Sequence, residues 1–161
     1  MPFTPFHWGP SSWIGLLLVR FINLPAFLIA SVIIDIEPFF VLTLSLNYPL
    51  HGYLHTYLVG TLVAIILSLI LRRLVNITNR IAVTFKVPHM SSFRVILISC
   101  LLGVYFHIFL DSFLYEDIKP FYPFSLNPFY GLVSFGFMYA FCGFSLLLGL
   151  LLYMRYSRRT R

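Results

Sequence analysis

Three stretches of this chain are long and apolar enough to cross a lipid bilayer as helices, and that limits every fold it can take. Residues 53–71 run into Arg72-Arg73, residues 93–114 carry Arg94 near their start and Asp111 near their end, and residues 130–154 are uncharged up to Arg155. A helix needs about 20 apolar residues to span the hydrocarbon core. Only 10% of the 161 residues are charged, against about 25% in a soluble domain, so a water-soluble globule is excluded. The net charge of +6 is concentrated beside the apolar runs, which points to orientation in a bilayer and not to nucleic acid. Cys100 and Cys142 lie inside those runs and act as small hydrophobes rather than as a disulfide or a thiolate metal site.

The first fifty residues are interrupted. Arg20, Asn23 and Pro25 break the apolar segment from Trp13 to Ile34, and Asn-Leu-Pro reads as a helix start. Two short helices, about 11–22 and 25–35, form a hairpin that enters and returns; the alternative is one kinked crossing helix. Residues 38–46 are too short to cross alone and suit an interfacial helix. The expected architecture is one all-α, membrane-embedded domain over residues 1–161. It has three full transmembrane helices, the N-terminal hairpin or kinked helix, and the short interfacial helix.

Nine of the eleven basic residues fall in the 72–94 connection and the C-terminal tail, while all five acids (Asp35, Glu37, Asp111, Glu116, Asp117) fall at the opposite helix ends with His51, His55 and His107. The positive-inside rule makes the basic side cytoplasmic, so the acids and these histidines face outward from the cell membrane. His89 belongs to the basic side. Arg20 snorkels or pairs with buried carbonyls or an acid.

The sorted groups have the types and spacing of metal ligands. His51 and His55 open the 53–71 helix four residues apart, about 40° apart on one face, and His107 and Asp111 close the 93–114 helix with the same spacing. Asp35 and Glu37 end the second short helix at the same depth. Ionisable groups near hydrocarbon are costly, and clustered carboxylates with only Lys119 on their side need a cation. His7 joins this face if the hairpin forms and is stranded if a single helix crosses. Glu116 and Asp117 sit in a polar stretch that reads equally as a solvated loop. Residues 121–129 form a proline-bounded aromatic loop, a lid or an aromatic belt at headgroup level.

The ordered motifs resemble those of the membrane-bound metal-dependent hydrolases often called YdjM-like. They are the early His7, the acidic helix end Asp35-Ile-Glu37, His-Gly-x-x-His-Thr (His51–Thr56), His-x-x-x-Asp-Ser (His107–Ser112) and Tyr-Pro-Phe-Ser (Tyr122–Ser125). The resemblance implies a helical protein related in pattern to zinc-dependent phospholipase C and the single-strand nucleases, which hold metal ions with clustered His and Asp and cleave phosphoesters. Ile34-Asp35 stands where a Pro-Asp pair is usual, which leaves open whether Asp35 or Glu37 is the ligand.

Seven candidate ligands follow: His7, Asp35, Glu37, His51, His55, His107 and Asp111. Nitrogen and carboxylate donors suit Zn²⁺, with Mn²⁺ or Fe as alternatives, and seven donors exceed one ion's needs, so one or two ions are expected. The expected activity is hydrolysis of a phosphoester by metal-activated water, with membrane lipids as partners and a lipid headgroup as favoured substrate. Ser112 is expected to be a hydrogen bonder behind Asp111. Glu37 is the candidate general base: Asp35 and Glu37 project about 200° apart on a helix, and Pro38 ends that helix so that Glu37 can turn toward the water. The alternative is a non-catalytic subunit or binding protein stabilised by a structural ion. A transporter is disfavoured, because residues 60–71, 96–104 and 132–150 lack charged groups at mid-depth.

Overall fold

The computed structural model describes residues 5–88 and 90–159, and among these the ordered elements are all helical. The seven α-helices are α1 (Pro5–Leu17), α2 (Leu24–Ile33), α3 (Ile36–Thr43), α4 (Tyr57–Arg73), α5 (Val75–Thr84), α6 (Phe93–Ser112) and α7 (Phe135–Arg159). His89 lies outside the described residues.

The N-terminal segment is the hairpin. Asn23, in extended conformation, caps α2 by accepting from Ala26 N–H, with Pro25 in the first turn, as the Asn-Leu-Pro pattern requires. α1 packs against α2 and along α7. It begins earlier than expected, at Pro5, and so returns His7 to the end of the molecule that holds Asp35.

Two expectations need correction in the next segment. α2 does not end the hairpin at residue 35, and residues 38–46 are not a separate interfacial helix. Leu24–Thr43 is one apolar segment of 20 residues, long enough to span, loosened only at Ile34-Asp35. Pro38 has no N–H to offer the Ile34 carbonyl, and Glu37 N–H donates to that carbonyl instead, at 3.1 Å. The tighter local turn lets the helix continue through the proline.

α2 and α6 run parallel in a fixed register. Asn23 N–H donates to Ser99 Oγ at 2.9 Å, and His107 Nδ1 lies 2.9 Å from the Ser31 carbonyl, each pair 76 residues apart in the chain. Gly103 sits between these two bonds. A Cβ there would stand 2.6 Å from the Phe27 carbonyl oxygen and 2.7 Å from the Ala30 side chain, so glycine is what permits the close approach on which the register depends. α4 packs on the other side of α6, and Ala26, Ala30, Ala64, Val104 and Ile108 fill the interface.

The remaining boundaries differ in instructive ways. α4 begins at Tyr57, because Thr56 is its cap and accepts from Val59 N–H; His51 and His55 therefore precede the helix, His55 in a single 3₁₀ turn (Tyr53–His55). α7 begins at Phe135 and not at 130, after a turn in which Gly131 has φ +77°. The 72–94 connection contains α5, bent by 80° from α4, whose Thr78 and Ala82 are buried at i and i+4 while its other faces stay exposed. Arg20 is exposed in the turn between α1 and α2, at the end that carries Arg72 and Arg94, and pairs with no acid there because all five acids are at the other end. Cys100 and Cys142 are free and buried, as expected.

Candidate metal centre

The end of the bundle opposite the arginines gathers every acid and four described histidines. α6 supplies His107 and Asp111 one turn apart, the loosened turn between α2 and α3 supplies Asp35, and the 3₁₀ turn before α4 supplies His55. One atom from each of these four buried residues lies within 4.8 Å of the other three. His107 Nε2 stands 3.5 Å from Asp111 Oδ2 and 3.6 Å from Asp35 Oδ1, and His55 Nε2 stands 4.0 Å from Asp111 Oδ2.

These separations exceed hydrogen-bond length and are close to the edge of a tetrahedron built on zinc–nitrogen and zinc–oxygen bonds, about 3.3 Å. The histidine nitrogens are prepared for such a role from behind. His107 Nδ1 faces the Ser31 carbonyl, which only accepts, and His55 Nδ1 lies 2.8 Å from Glu37 Oε2. Each ring therefore carries its proton on Nδ1 and turns the Nε2 lone pair inward. Neither Nε2 makes a hydrogen bond among the described residues. Two fully buried imidazole lone pairs converging on two carboxylates are the donor set a divalent cation satisfies, so these residues fit a metal ion.

The other candidate residues surround this group. His7 is fully buried, its Nε2 3.1 Å from Asp111 Oδ1, and its ring stacks on His107 with centroids 4.0 Å apart. It thereby fixes the carboxylate whose second oxygen enters the cluster. Glu37 does not turn toward open space at a helix end. Its Oε2 accepts from Gly52 N–H at 2.9 Å besides facing His55, and its Oε1 accepts from Leu54 N–H at 3.2 Å. Asp35 and Glu37 both reach histidines despite their two-residue spacing, because the turn at Ile34-Asp35 re-aims the chain between them. Among the described residues, one atom each from Asp35, His55, His107 and Asp111 forms the group that could hold an ion.

His51 stands beside the cluster rather than on a helix with His55; the two ring centroids are 4.8 Å apart. Asp117 accepts from its backbone N–H at 3.0 Å and lies 3.1 Å from its Nδ1, a role the loop-like stretch around it did not disclose. Burial works against ionisation of Asp117, but the hydrogen bonds from the His51 ring and backbone outweigh it and hold the carboxyl below its usual range. Glu116 is exposed. Ser112 does not support Asp111 from its hydroxyl; it donates to the Ile108 carbonyl at 2.6 Å, a back-bond to its own helix.

A pocket of about 190 Å³ opens onto His51, with Asp117 and Lys119 set among the aromatic walls of Tyr48, Tyr53 and Tyr122. Burial, reinforced by the Glu37 charge and opposed by the Tyr53 N–H, pushes the Tyr48 phenol above its ordinary value, so it keeps the proton that it directs at Glu37 Oε1, 3.5 Å away.

The position of Glu37 makes a direct prediction. Glu37→Gln should weaken metal binding by about 10- to 100-fold, the usual cost of losing a carboxylate behind a ligating histidine. Equilibrium dialysis against zinc measures it, and unchanged affinity would remove Glu37 from the support of His55.

No curated protein and no solved structure matches the chain. The family model described as "YdjM inner membrane protein" does match, over residues 7–161. That match spans every residue of the centre, and with the apolar helices it establishes that this chain belongs to the YdjM inner membrane protein family and is an integral protein of the inner membrane.

Proposed function

We propose that the protein is a membrane-embedded, metal-dependent hydrolase of phosphoesters, with a lipid headgroup as the favoured substrate. The observation that carries this reading is the convergence of Asp35, His55, His107 and Asp111 beside a pocket that contains Lys119, the one cation at this end of the described chain. When bound there, a divalent ion, zinc for this donor set with Mn²⁺ or Fe as alternatives, supplies the Lewis acidity that activates water and polarises a phosphoryl oxygen. The chain's own residues do the rest. Lys119 and the pocket phenols hold the phosphate oxygens. His51, held by Asp117, takes the proton of the attacking water and passes it to the leaving oxygen. Glu37 is a positioning residue in this scheme, since its oxygens are engaged by His55, Gly52 and Leu54.

A second reading is favoured by one observation: His55, His107 and Asp111 are fully buried and Asp35 is 7% exposed, and a closed shell of four protein ligands is the mark of a structural ion. Metal removal separates the two. Chelator treatment followed by zinc should abolish and then restore hydrolysis of phospholipid or nucleotide phosphoesters. A zinc-loaded protein that hydrolyses neither, yet melts at lower temperature after chelation, would make the ion structural.

The charge sorting supports a cytoplasmic basic end and C-terminus, with the centre facing outward. Cysteines introduced at the exposed positions Arg80 and Ser125 should label from the cytoplasmic and the outer side respectively. Labelling from one side, or in the reverse sense, would overturn this orientation.

A further inference from the structure

The opposite end of the bundle contains an apolar cleft that the metal centre does not use. It encloses about 350 Å³ between α1, α2, α5 and α7 and is walled by Leu16, Leu28, Phe85, Leu146, Leu150 and Tyr153, with almost no polar surface. α5 closes one side because of its 80° bend; the Phe85 ring meets Tyr153 edge-on at 6.2 Å. Leu16 also borders a second hollow, where the next turn of α7 presents Arg155 and Tyr156. Leu16 is thus the wall between hydrocarbon-like surfaces and a hollow that carries a guanidinium.

Electrostatics selects the occupant. Every described arginine, and Lys86, is at this end, while all five acidic side chains are at the other, so no acidic side chain among the described residues neutralises these cations. A diacyl lipid with an anionic phosphate headgroup meets both requirements: one chain fills the apolar walls, and the phosphate accepts from the Arg155 fork at the membrane surface. We propose that this cleft is a binding site for an anionic phospholipid of the surrounding bilayer, with an acyl chain between α5 and α7 and its phosphate on Arg155. The site is independent of the hydrolase reading, since it shares no residue with the metal centre.

Native mass spectrometry of the full chain from detergent, with phosphatidylglycerol or phosphatidylcholine added, tests it. The wild type should retain phosphatidylglycerol in preference to phosphatidylcholine by about fivefold or more, the worth of one basic residue at a membrane surface. Arg155→Gln, at an exposed position, should reduce that preference to near unity, and Leu150→Trp, which fills the cleft, should lower retention of both lipids. Circular dichroism melting checks that each variant is folded. Equal retention of the two lipids by the wild type, or a preference unchanged in Arg155→Gln, would overturn the proposal. Unchanged retention in a folded Leu150→Trp protein would overturn the acyl-chain placement.

Discussion

Asp111→Asn is expected to empty the metal centre, lowering zinc affinity by more than about 100-fold, beyond the 10- to 100-fold typical of losing a supporting residue. The side chain is fully buried, and its two oxygens serve two tasks: Oδ1 faces His7 at 3.1 Å, and Oδ2 stands 3.5 Å from His107 and 4.0 Å from His55. The amide retains the shape but removes the charge, and an NH₂ end at the Oδ2 position would donate to the His107 and His55 Nε2 lone pairs, occupying the donors that an ion needs. Asp35 alone then opposes a divalent charge. Metal counted per chain by elemental analysis measures the loss, with Glu116→Gln, exposed and away from the cluster, as the unaffected control. Full occupancy in Asp111→Asn would show that the four-residue group is not the ion's site.

His51→Gln should have the opposite profile: the ion stays, while turnover of a cleaved phosphoester falls by about 10²- to 10⁴-fold, the range of a lost proton-transfer group. The reasoning is positional. His51 is outside the four-atom group yet lines the pocket that holds Lys119, and Asp117 takes its Nδ1 side. Asp117→Asn should give a smaller loss of the same kind, because the ring keeps its place but loses the carboxylate that orients its Nδ1 side. If His51→Gln releases metal as completely as His55→Gln, His51 is a ligand, as its motif alone suggested.

Much of the centre was readable in the sequence because charge is so scarce in this chain. When only five acids exist and all stand at one end of the spans, their convergence follows from the alternating direction of the crossings, and His55, His107, Asp111 and Asp35 were placed together on that basis. What periodicity could not convey was which partner each would face. The i,i+4 argument put His51 and His55 on one helix, whereas Thr56 claims the cap and leaves His55 in the preceding 3₁₀ turn and His51 ahead of that turn. The proline rule at Pro38 pointed to a helix end, whereas an i to i+3 bond from Glu37 to Ile34 carries the helix through and delivers Glu37 to His55. The Ser31 carbonyl had no signal at all: its role exists only through the register between α2 and α6. α5 was missed because, with two arginines before it and few buried positions, it read as a charged connection.

The order in which the four donors occur along the chain bears on biosynthesis. Asp35 and His55 leave the ribosome early, but His107 and Asp111 come more than fifty residues later, and it is α6 that sets the register with α2. A nascent chain that has inserted only its first four helices has half a centre and the His7 hairpin unbraced, since α1 packs along α7, the last helix to arrive. Any ion held here is therefore acquired at the close of insertion. Until then Glu37 already has Gly52, Leu54 and His55 around it, whereas Asp35 waits for His107.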